Sequence, residues 1–229
     1  MSAESTELLL ARGVMPARRT AITGGSPLDL AYTALNRVIA LLAIVVLSPL
    51  LAFIAFRIWR VDGAPITFGH YRVSRKGRLF RCLKFRTMVR NSETVLSELL
   101  ASDPQARAEW NCDHKLRNDP RITPIGRFLR KTSLDELPQL FNVLRGEMHF
   151  VGPRPVTIEE LARYGSRKRH YLSVRPGLTG LWQVSGRNNT TYDERVQLDS
   201  EYVERRNPLF DTWIVMRTFK VLATGEGAH

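Results

Sequence analysis

The sequence predicts a helix-rich α+β protein with a small antiparallel β-hairpin, built on one long apolar helix. Three observations predict it. Residues 38–56, "VIALLAIVVLSPLLAFIAF", run 19 positions without a charge, about the length one helix needs to cross a bilayer core. Two β-rich arms, "ITFGHYRV" (66–73) and "LFRCLKFRTM" (79–88), flank a turn that ends at Gly77, the pattern of a hairpin. Most of the remaining chain, read between its Gly, Pro and capping residues, has helical patterning.

Taken in order, residues 1–27 are rich in Ser, Thr, Ala, Gly and Arg without a sustained period and read as a flexible tail. Residues 28–60 read as an anchor helix with Asp29 near its start. Ser48 and Pro49 fall at its middle; Pro49 has no N–H and predicts a break, and Ser48 is placed to satisfy the freed backbone carbonyl. Arg37 precedes the apolar run, and Arg57 and Arg60 follow it. Positive residues favour the cytoplasmic side, so the helix is expected to be re-entrant, with both ends on one face.

Residues 92–111 read as helix with Ser92 as cap and a restart at Asp103-Pro104. "NDPRITPIG" (118–126) reads as a turn-rich connector, residues 127–145 as a helix ending at Gly146, and "VGPRPV" (151–156) as rigid non-helical backbone. Residues 157–173 read as helix, and "RPGLTGLWQVSGRN" (175–188) as loop with a short strand at most. Residues 190–206 form an acid- and base-rich helix opened by Thr191 and Glu194, a capping box. In the last segment, 208–222, Phe210, Trp213, Ile214, Arg217 and Lys220 suit a helix lying in a membrane interface; a core-packed helix fits the same pattern equally well.

Lys plus Arg outnumber Asp plus Glu by 34 to 22, for a formal net charge of +12. Such an excess implies an anionic partner: nucleic acid, anionic headgroups or a phosphorylated small molecule. The basic residues are not gathered into one stripe with interleaved aromatics, which argues against nucleic acid. Cys82 and Cys112 are too few for a disulfide framework and have no metal-ligand spacing. No Walker or dinucleotide glycine motif is present.

Against this basic background stands "TSLDELPQL" (132–140), with Asp135 and Glu136 side by side before Pro138. Ser133 and Glu136 fit S-x-x-E, so both acids are expected at a helix N-terminus, capping free N–H groups. The same position favours an ionised, nucleophilic carboxylate and welcomes phosphate. Two anions can meet there only if cations neutralise them. Lys84, Arg86, Arg130, Arg154, Arg175 and Arg187 are candidates, several of them in Gly- and Pro-rich loops ("GPRP", "RPG", "SGRN") that suit anion clamps.

"KFRTM" (84–88), "DPRITPIGRFLRKTSLDELPQLFNVLRGEM" (119–148), "VGPRPV" and "RPGLTGLWQVSGRN", in this order, resemble the bacterial sugar transferases, the monotopic phosphoglycosyl transferases that act on a polyprenyl phosphate. The Ser-Pro helix is similar to that family's anchor, and the insertion at 91–117 resembles the exopolysaccharide-initiating branch. The sequence lacks the multi-span N-terminal region of the larger members, and Ser74 stands where the family pattern usually has glycine. The resemblance implies transfer of a sugar 1-phosphate from a UDP-sugar, galactose or glucose favoured, to undecaprenyl phosphate. It implies that Asp135 attacks the β-phosphorus and expels UMP, and that Glu136 binds Mg2+. Lys84, Arg130, Arg154 and Arg187 fall on the family's basic positions; Arg86, Arg175 and Asp199 extend the set. It further implies residues 61–229 as a catalytic domain with membrane-interface helices, on the cytoplasmic face of the bacterial inner membrane. UDP-sugar, undecaprenyl phosphate and membrane lipids are then the partners, with no nucleic acid and room for a homodimer. The competing reading is a non-catalytic basic scaffold on the membrane surface.

Overall fold

A computed structural model describes residues 27–114, 116–186 and 190–224; the predicted tail, residues 1–27, lies almost wholly outside them. The expected α+β character holds: helices dominate, with a two-stranded hairpin and one long apolar helix. Contacts divide the chain into two compact units. One holds the chain up to Ser48, Gly69–Leu83 and everything from Pro138; the other holds Pro49–Phe68 and Lys84–Leu137.

The long helix α1, Pro27–Asp62, runs through Pro49 as one helix. The expected break does not interrupt the helix, and a local hydrogen bond gives the reason. Pro49 cannot donate to the Val45 carbonyl four residues back, and the Ser48 hydroxyl donates to that carbonyl instead, at 2.8 Å. The helix is long and apolar enough to cross a membrane, and only 11% of its most apolar window is buried.

The first turns of α1 are nevertheless fastened to the first unit along one polar face. Asp29 pairs with Arg75 and lies 3.8 Å from Arg175. Thr33 shares a hydrogen bond with His149 and accepts one from Arg175. Asn36 accepts from the Phe150 N–H at 2.8 Å, and Arg37 donates to the Arg145 carbonyl at 2.9 Å. Tyr32 donates to Asp211.

The hairpin forms as expected from β1, Thr67–Val73, and β2, Leu79–Phe85. Its turn, Arg75–Gly77, puts Lys76 and Gly77 at φ 58° and 76°, the pair of positive angles whose twist matches the strands. Ser74 is extended, at φ −105°, so the glycine of the family pattern is not needed there; its hydroxyl donates to the Glu147 carbonyl at 2.7 Å.

In the first unit, α5 (Gln139–Arg145) ends at Gly146, which has φ 76°. A parallel ladder follows: β3, His149–Val151, which the sequence reading lacks, pairs with β4, Gly177–Thr179, the short strand it allowed within 175–188. The helix expected over 157–173 is three pieces, α6 (Ile158–Ala162), a 3-10 turn (Gly165–Arg167) and α7 (Lys168–Ser173), because Gly165 turns the chain at φ 52°. After the four-residue α8, Leu181–Val184, comes α9, Tyr192–Arg205, with the expected Thr191–Glu194 capping box. The final α10, Pro208–Thr224, faces both ways. Ile214 is fully buried in a cluster with Val151, Leu181 and Tyr202, and Phe210 packs against it. Leu209, Trp213, Met216 and Phe219 are exposed. The outward apolar stripe therefore differs from the expected set, two of whose members belong to the core.

In the second unit, Asn91 precedes α2 (Ser92–Ser102), so Ser92 is a helical residue and not the cap. Asp103 does cap α3 (Pro104–Asp113), accepting from two backbone N–H groups. Thr123 caps α4 (Pro124–Thr132). Gly126 is required there, since a Cβ would lie 2.0 Å from the Thr87 carbonyl oxygen. The core of this unit is Ile54, Ile58, Phe85 and Leu129.

Candidate active site

The acid pair does not open an α-helix. The helix expected over 127–145 is broken into α4, a 3-10 turn at Leu134–Glu136, and α5. Ser133 ends α4 at φ 57°, and its side chain caps nothing. Pro138, with no N–H to give, precedes α5. The S-x-x-E pattern thus loses to tertiary packing: Leu134 and Leu137 sink into the core with Phe85 and Leu129. The two acids between them turn to Lys84 instead.

Lys84, next to last in β2, bridges the pair. Its Nζ is 3.3 Å from Asp135 Oδ2 and 2.7 Å from Glu136 Oε1. Asp135 is only 8% exposed. Burial pushes its carboxyl above the ordinary range; Lys84 pulls it back, Glu136 adds to the rise, and Arg130 pulls down more weakly. Arg130, on α4, is steadied by donating from Nε to Thr87 Oγ1 at 2.9 Å. Asp135, Glu136, Lys84 and Arg130 are therefore brought together within one unit: a buried acid, a more exposed one and two cations. The charge of a carboxylate held in this way is compensated by Lys84 rather than by a helix dipole, an arrangement open to chemistry as nucleophile or base.

Arg86 is held at the end of α1. Its Nη2 donates to the carbonyls of Asp62 and Gly63 at 2.9 and 2.8 Å and pairs with the Asp62 carboxylate, which closes the C-terminal end of α1.

The remaining candidates belong to the other unit. Arg175 is buried, donating to the Gly146 carbonyl at 2.9 Å and to Thr33; it ties α1 down instead of standing free in a loop. Asp199 is buried and accepts from the Tyr164 hydroxyl at 2.7 Å. Burial pushes its carboxyl up to about 7, against the Tyr164 bond and Arg154. Arg154 is exposed, with its guanidinium 5.3 Å from the ring centre of Trp182. Arg187 lies outside the described residues. Sequence reasoning passed over Arg195, whose guanidinium is 4.8 Å from the same ring; no spacing rule links it to Trp182. Among the described residues, no group of three or more His, Cys, Asp or Glu is arranged to hold a metal ion.

The sequence family described as bacterial sugar transferase matches residues 29–225. The chain belongs to this family. Among its relatives, an uncharacterized sugar transferase of Haemophilus influenzae is 55% identical over 84% of this chain and 41% of its own length. An undecaprenyl-phosphate galactose phosphotransferase of Salmonella typhimurium is 54% identical over 84% of this chain and 40% of its own length. The exopolysaccharide production protein ExoY of Sinorhizobium fredii is 48% identical over 83% of this chain and 84% of its own length. The chain thus spans about two fifths of the first two relatives and most of the third.

Proposed function

We propose that this sugar transferase moves a sugar 1-phosphate from a UDP-sugar to undecaprenyl phosphate, as the membrane step that begins an exopolysaccharide or other surface glycan. The observation that carries the reading is the buried Asp135 bridged to Glu136 by Lys84, in a chain whose Salmonella relative is named for galactose phosphotransfer to that lipid. Galactose is the favoured sugar on the same ground, with glucose next.

In this reading a carboxylate oxygen of Asp135 forms a bond to the β-phosphorus while the bond to the α–β bridging oxygen breaks. UMP leaves with that oxygen and its electron pair, and the sugar phosphate remains on Asp135 as an acyl phosphate. A phosphate oxygen of the lipid then displaces the carboxylate, giving the lipid diphosphate sugar. Lys84 and Arg130 offset the repulsion between Asp135 and the incoming phosphates. Glu136 is the residue that would hold Mg2+. Its Oε1 contacts Lys84 and its side chain is partly exposed, and Mg2+ is ordinarily held by one or two carboxylates plus substrate phosphates, without a larger protein cage. When bound there, Mg2+ would neutralise diphosphate oxygens.

The exposed apolar α1, with Arg37 before the apolar run and Arg57 and Arg60 after it, supports an anchor that enters and leaves the inner membrane on its cytoplasmic face. Cysteines placed at the two ends of α1 should label from the same side; labelling from opposite sides would overturn the re-entrant form.

A panel of UDP-sugars tests the chemistry. The full chain should release UMP stoichiometrically without lipid and catalytically with undecaprenyl phosphate, and Asp135→Asn should do neither. UMP release by that variant would remove the nucleophile assignment, and no release by the parent chain from any UDP-sugar would remove the reading.

A further inference from the structure

We propose that Arg195 and Arg154, held together on the ring of Trp182, form a clamp for a phosphate group of the substrates, with Arg195 a phosphate-binding residue in its own right. The inference rests on the transferase reading for the identity of the phosphate. Its geometry stands within one unit of the chain.

Trp182 lies on α8 and is only 4% exposed. Its position is set by backbone contact, because Gly180 approaches the Gly-Pro-Arg-Pro loop so closely that a Cβ would be 2.1 Å from the Gly152 carbonyl oxygen. From that loop Arg154 reaches over the indole, and from the first turns of α9 Arg195 does the same. The Thr191–Glu194 capping box fixes the start of α9. Arg195 also donates from Nε to Thr190 Oγ1, at 3.3 Å.

Two like charges on one ring repel each other. Cation–π attraction contributes to holding each, but among the described residues no carboxylate lies within ion-pair distance of either guanidinium. Asp193 and Glu194, next to Arg195 in sequence, do not neutralise it. A guanidinium beside a ring still has N–H groups with which to bind phosphate, and on Arg195 these are the Nη groups, since Nε donates to Thr190. In addition, Trp182 Nε1 is a buried donor without a hydrogen-bond partner, a state rare enough in folded proteins to call for a ligand or water. Two guanidinium groups near one buried ring, neither of them in an ion pair among the described residues, beside an indole N–H without a partner, match an anion with several acceptor oxygens. A phosphate oxyanion has them; it belongs either to the diphosphate of the sugar donor or to the lipid acceptor.

The two half-reactions separate these sources. With the full chain in detergent micelles, Arg195→Ala is expected to raise a KM about tenfold or more, the loss of a charge-assisted contact, with kcat within about threefold and an unchanged melting temperature. A rise in the KM for UDP-galactose during lipid-free UMP release assigns the clamp to the donor. A rise only in the KM for undecaprenyl phosphate assigns it to the acceptor. Arg195→Lys, which keeps the charge and loses the plane, should recover part of the effect, as a purely structural residue would not. Trp182→Leu should reproduce the Arg195→Ala effect more fully than Trp182→Phe, which keeps a ring. Arg169→Ala, on the exposed part of α7, should change nothing. If both KM values for Arg195→Ala and Arg195→Lys stay within twofold of the parent chain, the clamp is overturned while the transferase reading stands. If the parent chain turns over no UDP-sugar, that reading fails by itself, and direct binding of UDP decides the clamp: a dissociation constant weakened by Arg195→Ala supports it, and an equal one overturns it.

Discussion

Replacing Lys84 with glutamine removes the cation that, among the described residues, touches both acids, and the consequence for Asp135 has a definite sign. Lys84 Nζ stands 3.3 Å from Asp135 Oδ2. A unit charge pair at that distance is worth roughly 1 kcal/mol in water and about 5 kcal/mol at an effective dielectric constant of 20. The Lys84 side chain is 40% exposed, so solvent screening places the value near the lower end, about 1–2 kcal/mol. Removal should therefore raise the Asp135 carboxyl further. The neighbouring Glu136 charge, no longer compensated, pushes in the same direction, and Arg130 opposes it. Since attack on phosphorus requires the ionised form, the acid limb of kcat/KM for UMP release should move to higher pH. The plateau above it should fall by about a hundredfold, because phosphate has lost a neutralising partner. The assay is lipid-free UMP release followed across the limb. An acid limb that stays in place, or moves to lower pH, would refute the assignment of Lys84 as the cation that keeps Asp135 ionised.

The same electrostatics predict that Asp135→Asn is stabilising. Burial raises the folded carboxyl above its unfolded value, so stability is fullest below the unfolded pKa of about 3.9 and falls as pH rises through the folded one. At neutral pH the variant should melt a few degrees higher while releasing no UMP, and a lower melting temperature would contradict the sign. Glu136→Gln should raise the Mg2+ concentration needed for half-maximal UMP release by tenfold or more; an unchanged titration would take the metal away from Glu136. Gly126→Ala forces a Cβ against the Thr87 carbonyl, and should cost about 1–3 kcal/mol in denaturant unfolding. It should also slow UMP release, since Thr87 steadies Arg130; a variant of parental stability would mean that the contact relaxes freely.

Features set by near neighbours were legible in the sequence. The Thr191 box, the Asp103-Pro104 restart, the stop at Gly146 and the hairpin turn each need only a few adjacent residues, and each forms. The acid pair and its basic company were legible too, through Lys84 and Arg130. What misled was a local rule in competition with burial. Ser133 and Glu136 spell a cap, but Leu134 and Leu137 gain more by entering the core, and Ser133 takes a left-handed turn to let them. Arg175 looked like a free clamp because it sits before Pro-Gly. Its partners Asp29 and Thr33 are well over a hundred residues away in sequence, beyond any motif. Arg86 likewise answers to Asp62 and Gly63 at the end of α1. A three-residue strand such as β3 is too short for alternation to reveal, and its pairing with β4 joins segments far apart in sequence.

Asp29, Thr33, Asn36 and Arg37 recur along one side of the first turns of α1, and each is bonded to the folded domain. That spacing makes the start of the anchor a keyed part. A generic hydrophobic helix spliced in its place would take from Arg75 and the Phe150 N–H their partners on α1, and leave Arg175 with the Gly146 carbonyl but without Thr33 and Asp29. A water-soluble derivative, or a chimera carrying a foreign anchor, should therefore be joined after Arg37, with the keyed face kept and only the apolar run beyond it exchanged.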